Sequence, residues 1–151
     1  MPRASSRKLP LNLVGASGVY FVAAELLRRR CLATITPGNA QGADILASNG
    51  QGTRSVCIQV KTTRKRKKEW MVNSHKSEQL FYVLVHLHGD SQLPDYYIVP
   101  SKVVARQALR NYREYLRRER KDGKPRKGNS IRKYKNPHIR YRDWWEQLGL
   151  S

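Results

Sequence analysis

The sequence predicts an α/β (α+β) protein built on a central mixed β-sheet flanked by helices, and three observations carry that prediction. An amphipathic helical segment comes first, short β-type segments punctuated by Gly- and Pro-containing turns follow, and a second helical segment lies after the last strong strand signal. The 151 residues, 39% of them hydrophobic, suit a single domain with a core of its own. Residues 1–151 are therefore read as one domain, with the basic portion 101–151 as an extension of it.

Each element has its own signal. Val19, Val22, Ala23, Leu26 and Leu27 recur at helical spacing and predict a helix over 17–30, with Arg28, Arg29 and Arg30 in its last turn, where cations suit the helix dipole. Residues 32–36 read as a first strand, ended by Pro37-Gly38. A second strand is expected over 44–48, and Asn49-Gly50-Gln51-Gly52 is a hairpin turn signal. The third, over 55–62, alternates: Val56, Ile58 and Val60 on one face, Cys57, Gln59 and Lys61 on the other. Residues 70–72, 80–87 and 96–99 complete the strand set, the apolar 80–87 being central. A helix then opens at Pro100-Ser101, with Ser101 as N-cap and Val104, Ala108, Tyr112, Tyr115 and Leu116 facing inward. Residues 121–130 read as a polar loop and 143–148 as a short terminal helix. Trp144 and Trp145 are expected in the core.

Thirty Lys and Arg oppose eleven Asp and Glu, a formal net charge of +19. Such an excess repels itself in a compact state and is best relieved by a polyanion, nucleic acid being the commonest. No apolar run long enough to span a membrane is evident, and the N-terminal segment carries early positive charge without the apolar stretch of a signal peptide. Cys31 and Cys57 lack metal-ligand spacing and read as buried thiols of a reducing compartment, giving a cytoplasmic, nucleoid-associated expectation.

Carboxylates able to do chemistry are few: before Glu69 only Glu25 and Asp44 occur. Asp44 opens a strand; across the hairpin Gln59 and Lys61 share a strand face. If the two strands pair, the three converge. A carboxylate and an amide oxygen suit a hard cation such as Mg²⁺ or Mn²⁺. Such an ion polarises a phosphate and acidifies a water, while a lysine offsets charge on the phosphate. Each residue also has a plainer reading. Asp44 could cap a turn, Gln59 could be a structural hydrogen bonder, Lys61 could begin a solvated basic run, and Glu25 could merely pair with Arg28 or Arg29. His86 and His88 read as surface strand histidines with no Cys or Asp at metal spacing, and His138 as a contact to phosphate or solvent.

Gly15 through Thr62 resembles the core of the PD-(D/E)XK nuclease superfamily, in particular its Holliday-junction-resolvase-like and homing-endonuclease-like branch. Glu25 matches a helix glutamate of that pattern, Asp44 the aspartate and Lys61 the lysine. Gln59 stands where the (D/E)-x-K triplet usually has an acid, and Ala43 where a proline usually precedes the aspartate. The resemblance implies a restriction-endonuclease-like core and a metal-dependent DNA endonuclease. It makes Asp44, Gln59, Lys61 and Glu25 catalytic, with Asp44, Gln59 and Glu25 as metal ligands. Cutting both strands of a duplex implies a homodimer.

Arg106, Arg110, Arg113 and Arg117 form a positive stripe on the second helix. With Arg64, Lys65, Arg66, Lys67 and Lys68, and with Arg126, Lys127, Arg132 and Lys133, they are expected to hold duplex or branched DNA by its phosphates. The alternative reading is a nucleic-acid-binding module on the same fold, weakened or inactivated by Gln59, as a subunit of a larger DNA-processing or defence assembly. A basic RNA- or ribosome-associated protein has only the net charge in its favour.

Overall fold

The computed structural model describes residues 8–38 and 42–151; the N-terminal residues 1–7, and residues 39–41 of the loop expected before Asp44, lie outside the described residues. The elements run α1 (Leu11–Arg28), β1 (Cys31–Ile35), β2 (Ile45–Asn49), β3 (Ser55–Thr63), β4 (Glu69–Val72), β5 (Leu80–His86), β6 (Asp95–Pro100), α2 (Ser101–Arg117) and β7 (Arg132–Lys135), followed by two 3-10 turns, Ile139–Tyr141 and Trp145–Leu148. The mixed α/β character expected from the sequence is what the chain adopts.

A five-stranded sheet has the order β1-β2-β3-β5-β6, and β4 pairs only with β7 in a separate ribbon. The first three strands form an antiparallel meander, β3 and β5 are parallel, and β6 returns antiparallel to β5. Alternation then assigns the faces. Val56, Ile58 and Val60 of β3, with Val83 and Val85 of β5, join Val14, Val22, Ala23 and Leu26 of α1 and Trp145, Leu148 and Leu150 of the C-terminal segment in one core. Tyr82, Leu84, Tyr97 and Val99 point to the other face, where Val104 and Ala108 of α2 and Trp70 and Tyr134 of the ribbon cover them. Gln59 and Lys61, in register with Tyr82 and Leu84, lie on this second face.

Several elements differ from the sequence expectation for identifiable reasons. Helix α1 begins at Leu11, six residues before the expected start: the Pro10 carbonyl accepts from the Leu13 and Val14 amides at 3.0 Å each. Gly15 and Gly18 disfavour a helix by propensity, but at Gly18 close packing decides. A Cβ there would lie 1.8 Å from the Thr62 Oγ1 of β3, so only glycine allows the approach. By length and a mean hydropathy of 1.2, α1 also satisfies the composition of a membrane-crossing helix, contrary to the expectation that no such run exists. Its buried side nevertheless packs on the sheet.

Ser101 does not cap α2; its Oγ accepts from the Ser77 amide and donates to the Ser77 carbonyl, tying the chain before β5 to the start of the helix. Farther along α2, Tyr115 and Leu116 are exposed rather than inward, because the helix outruns the sheet beneath it. Strand β7 has no periodic apolar signal in Arg132–Lys135. Tyr134 alone is buried there, while Gln107 and Asn111 of α2 donate to the Lys135 and Lys133 carbonyls. Trp145 is in the core as expected, whereas Trp144 is 38% exposed. The terminal segment forms 3-10 turns and not an α-helix.

Candidate active site

The β2–β3 ladder ends at the pair Ile45↔Ile58, and Asp44 stands where it ends. Its amide still donates to the Ile58 carbonyl at 2.8 Å, and its carbonyl accepts from the Thr36 amide at 2.9 Å. Beyond that point the Val60 N–H would lack a strand partner, and buried backbone donors are rarely left unpaired. Asp44 supplies one: its Oδ2 accepts from the Val60 amide at 2.7 Å. That bond fixes the carboxylate against the residue between Gln59 and Lys61. Asp44 therefore caps a strand end and not a turn, and it does so beside the two residues expected to share its site. Among the described residues no donor reaches its other oxygen, Oδ1.

The Gln59 side chain is half-buried, and its Oε1 accepts only a long 3.4 Å bond from Asn73 Nδ2. Lys61, also half-buried, makes no ion pair or side-chain hydrogen bond among the described residues. The structure thus brings Asp44, Gln59 and Lys61 to one face of the sheet, where β2 ends beside the middle of β3. An oxygen-only pair, carboxylate and amide, beside an unengaged ammonium fits a hard divalent cation such as Mg²⁺.

Two neighbours escaped the sequence reading. Tyr82, directly across from Gln59 in the parallel β3–β5 register, donates its hydroxyl to Asn73 Oδ1 at 2.5 Å. Burial pushes that hydroxyl up to about 12; the Asn73 carbonyl bond works against the rise and the nearby Asp44 carboxylate adds to it. Tyr82 is thus a neutral donor that orients Asn73, whose amide points at Gln59 across a long 3.4 Å contact. Only the strand register reveals this relay.

Glu25 does not join the site. Its carboxylate pairs with Arg28 (2.8 Å) and with Arg29, the plain reading of its spacing. The α1 helix packs on the Val56–Ile58–Val60 face, opposite Gln59 and Lys61. The turn of α1 that touches the end of β3 is that of Gly18, and Glu25 lies two turns farther on, about 10 Å along the axis. The match of Glu25 to a helix glutamate was one of sequence order, and the sheet stands between it and Asp44.

The expected phosphate-binding residues divide into two groups. Arg106, Arg110, Arg113 and Arg117 are exposed on α2 and form no ion pair among the described residues, as do Lys65, Arg66, Lys67 and Lys127. Others are committed to the fold. Arg132 lies 3.7 Å from the Tyr112 ring centroid, and Arg126 stacks on Tyr115 and donates to the Arg118 carbonyl. Lys133 pairs with Glu69 at 2.7 Å, Lys68 donates to the Tyr97 hydroxyl, and Arg64 lies 3.5 Å from Asp90. A groove between α2 and the chain following Asn73 is lined by Lys76, Lys102, Arg106 and Arg132.

The histidine expectation needs correction. His86 is buried, not on the surface, and the β5–β6 register places Asp95 directly across from it, with His88 beside both. A linear spacing rule could not detect an aspartate delivered by the next strand. His138 caps the first 3-10 turn, its Nδ1 accepting from the Arg140 amide. Both cysteines are free; Cys31 is buried, Cys57 half-buried.

Comparison of the chain with protein-family models, with curated proteins and with solved structures finds no match.

Proposed function

We propose that this chain is a metal-dependent DNA endonuclease with a restriction-endonuclease-like core, acting through Asp44, Gln59 and Lys61. The observation that carries the reading is the part-buried Asp44–Val60 hydrogen bond of 2.7 Å, which fixes a carboxylate against the residue between Gln59 and Lys61. The order of elements through β3 and the short motif shared with PD-(D/E)XK nucleases support it. A Mg²⁺ or Mn²⁺ ion bound by Asp44 and Gln59 would supply Lewis acidity toward the scissile phosphate and a more acidic water. Asp44 contributes the only formal negative charge of the ligand pair. Gln59 contributes a neutral oxygen, with Asn73 in loose contact beside it. Lys61 brings an ammonium able to neutralise charge on the phosphate or orient the attacking water. The arginines of α2 hold the duplex backbone, and contacts of that kind bind with little sequence preference.

Hydrolysis of both strands calls for a second copy. The outer side of α1 supports one: Leu13, Tyr20 and Leu27 recur every seven residues and are 49%, 67% and 56% exposed, a seam able to meet its own symmetry mate. A cytoplasmic, nucleoid-associated setting belongs to the same proposal.

The test is cleavage of supercoiled and branched DNA with Mg²⁺ or Mn²⁺, wild type beside Asp44→Asn. Asparagine keeps an oxygen for the Val60 amide and removes the charge, so the fold survives. Cleavage should fall at least ~100-fold; an unaltered rate removes Asp44 from the site. The second reading, a binding module without catalysis, is favoured by the missing acid at position 59. It gains if wild-type protein binds duplex tightly yet leaves it intact with either ion.

A further inference from the structure

We infer that His86, His88 and Asp95 form a second metal site, separate from the Asp44 site and suited to a divalent transition ion of the zinc type. His86 ends β5, Asp95 begins β6 across from it, and His88 follows on the connecting turn. One nitrogen from each ring and one carboxylate oxygen lie within 4.8 Å of one another, and the two imidazoles are 4.7 Å apart.

His86 supplies the argument. Its side chain is 7% exposed, and its Nε2 lies 3.0 Å from the Lys65 carbonyl. A carbonyl can only accept, so Nε2 carries the proton and Nδ1 presents a bare lone pair. That Nδ1 is fully buried and has no hydrogen-bond partner among the described residues. A buried acceptor left unpaired costs on the order of 1–3 kcal/mol and is uncommon in a folded protein. A cation on Nδ1 removes the cost, and an imidazole donating its other N–H to a backbone carbonyl is the usual posture of a metal-bound histidine.

The other two candidate ligands lie beside the His86 ring. His88 Nε2 is 3.0 Å from Asp95 Oδ2, and Arg142 Nη2 holds Asp95 Oδ1 at 2.7 Å, fixing the carboxylate with Oδ2 toward the histidines. His88 and Asp95 are part-exposed, which leaves a path for the ion. Two imidazoles and one carboxylate form a nitrogen-rich set preferred by zinc-type ions over magnesium, and three protein ligands leave a fourth position for water. Ligand atoms of a tetrahedral zinc lie ~3.3 Å apart, so small side-chain rotations close the cluster. The site is distinct from the Asp44 centre: His86 pairs in register with Thr63 and Tyr82 with Gln59, a separation along the strands of about 13 Å. An ion here would pin the start of the basic 64–68 segment to β5 and β6 through the Lys65 carbonyl.

The experiment uses full-length protein stripped with a chelator and titrated with Zn²⁺ by calorimetry, with Co²⁺ as an optical probe in parallel. One equivalent should bind to wild type and to Asp44→Asn alike. His88→Ala and Asp95→Asn should each weaken it at least ~10-fold. His86→Ala should abolish it, with circular dichroism to confirm folding; because His88 is part-exposed, His88→Ala tests the site even if the His86 variant does not fold. No tight equivalent in wild type, or an equivalent that persists undiminished in His88→Ala, overturns the inference. An equivalent lost in Asp44→Asn but kept in Asp95→Asn would assign it to the nuclease centre instead, and overturns it too.

Discussion

Replacing Gly18 with alanine tests the layer order on which the placement of the candidate site depends. In a solvent-facing helix, Gly→Ala stabilises by up to ~1 kcal/mol. Here the new Cβ would lie 1.8 Å from Thr62 Oγ1, 2.9 Å from Thr62 Cβ and 3.1 Å from its Cγ2. Rotation of the threonine offers no relief, because a β-branched side chain exchanges one branch for the other and the Cβ itself is too close. Helix and strand must part. Overpacking of this kind costs ~1–3 kcal/mol in cores, and a contact this short falls at the upper end. After the helical gain, a net loss of about 2 kcal/mol is expected, or a Tm lower by roughly 4–8 °C for a chain of this size. Thr62→Ala removes two of the three clashing atoms, together with a buried hydroxyl that has no partner among the described residues. By itself it should be close to neutral, and combined with Gly18→Ala it should recover at least ~1 kcal/mol as a coupling energy. Urea denaturation of the four proteins measures the cycle. A stabilised Gly18→Ala variant, or strict additivity, would mean that α1 does not lie on the Thr62 side of β3, and the exclusion of Glu25 from the Asp44 site would fall with it.

Glu25→Gln should leave DNA cleavage within about twofold of wild type and lower stability by less than ~1 kcal/mol, since it breaks only partly exposed pairs with Arg28 and Arg29; a large loss of cleavage at unchanged stability would return Glu25 to the site. Replacing Arg106, Arg110, Arg113 and Arg117 one at a time should reduce the slope of log K against log salt by about 0.9 for each phosphate that is no longer neutralised, measured by fluorescence anisotropy on duplex DNA; an unchanged slope in all four variants would take α2 out of the interface. The Glu69 carboxyl is held below its ordinary 4.5, first by its hydrogen bond from Lys133 and then, against the opposing effect of burial, by the charges of Lys133, Lys135 and Lys65. A depressed carboxyl contributes stability above its unfolded value and loses it as pH falls through the folded one. Glu69→Gln should therefore lower stability near neutral pH by under ~1 kcal/mol and flatten the decline below pH 4.5; parallel wild-type and variant curves in that range would refute the pairing.

How much was legible in advance follows the range of the interactions. Alternation in 55–62 placed Gln59 and Lys61 together on the face opposite Val56, Ile58 and Val60, because strand period is local and its hydrophobic face was unambiguous. The Asn49–Gly52 turn set the hairpin that brings Asp44 across from β3, with Gly52 at a φ of 70°. What stayed hidden depended on partners distant in sequence. Tyr82 meets Gln59, and Asp95 meets His86, only through the β3–β5 and β5–β6 registers. Strand β7 is a run of basic residues around one tyrosine; its pairing with β4 and the amides of α2 make it a strand, and no pattern within it does. Glu25 shows the opposite failure. Its position in the order of elements matched a motif, while helical phase and sheet face, which order does not encode, put it elsewhere.

On the proposed reading, the missing acid at position 59 and the surplus of base elsewhere have a common consequence. A chain of net charge +19 surrounds a ligand pair carrying a single negative charge, and its field opposes the approach of a free divalent cation. With Asp44 and Gln59 as its protein ligands, a hard cation of about six oxygens would keep water in its remaining positions. Duplex DNA laid along α2 would change both conditions: its phosphates would reverse the local field, and their oxygens could replace some of those waters. Cation and duplex would then bind with positive coupling, each raising the affinity for the other by the same factor. An acid at position 59 would let the ion bind more tightly by itself; with glutamine, the bound substrate would contribute more of its affinity.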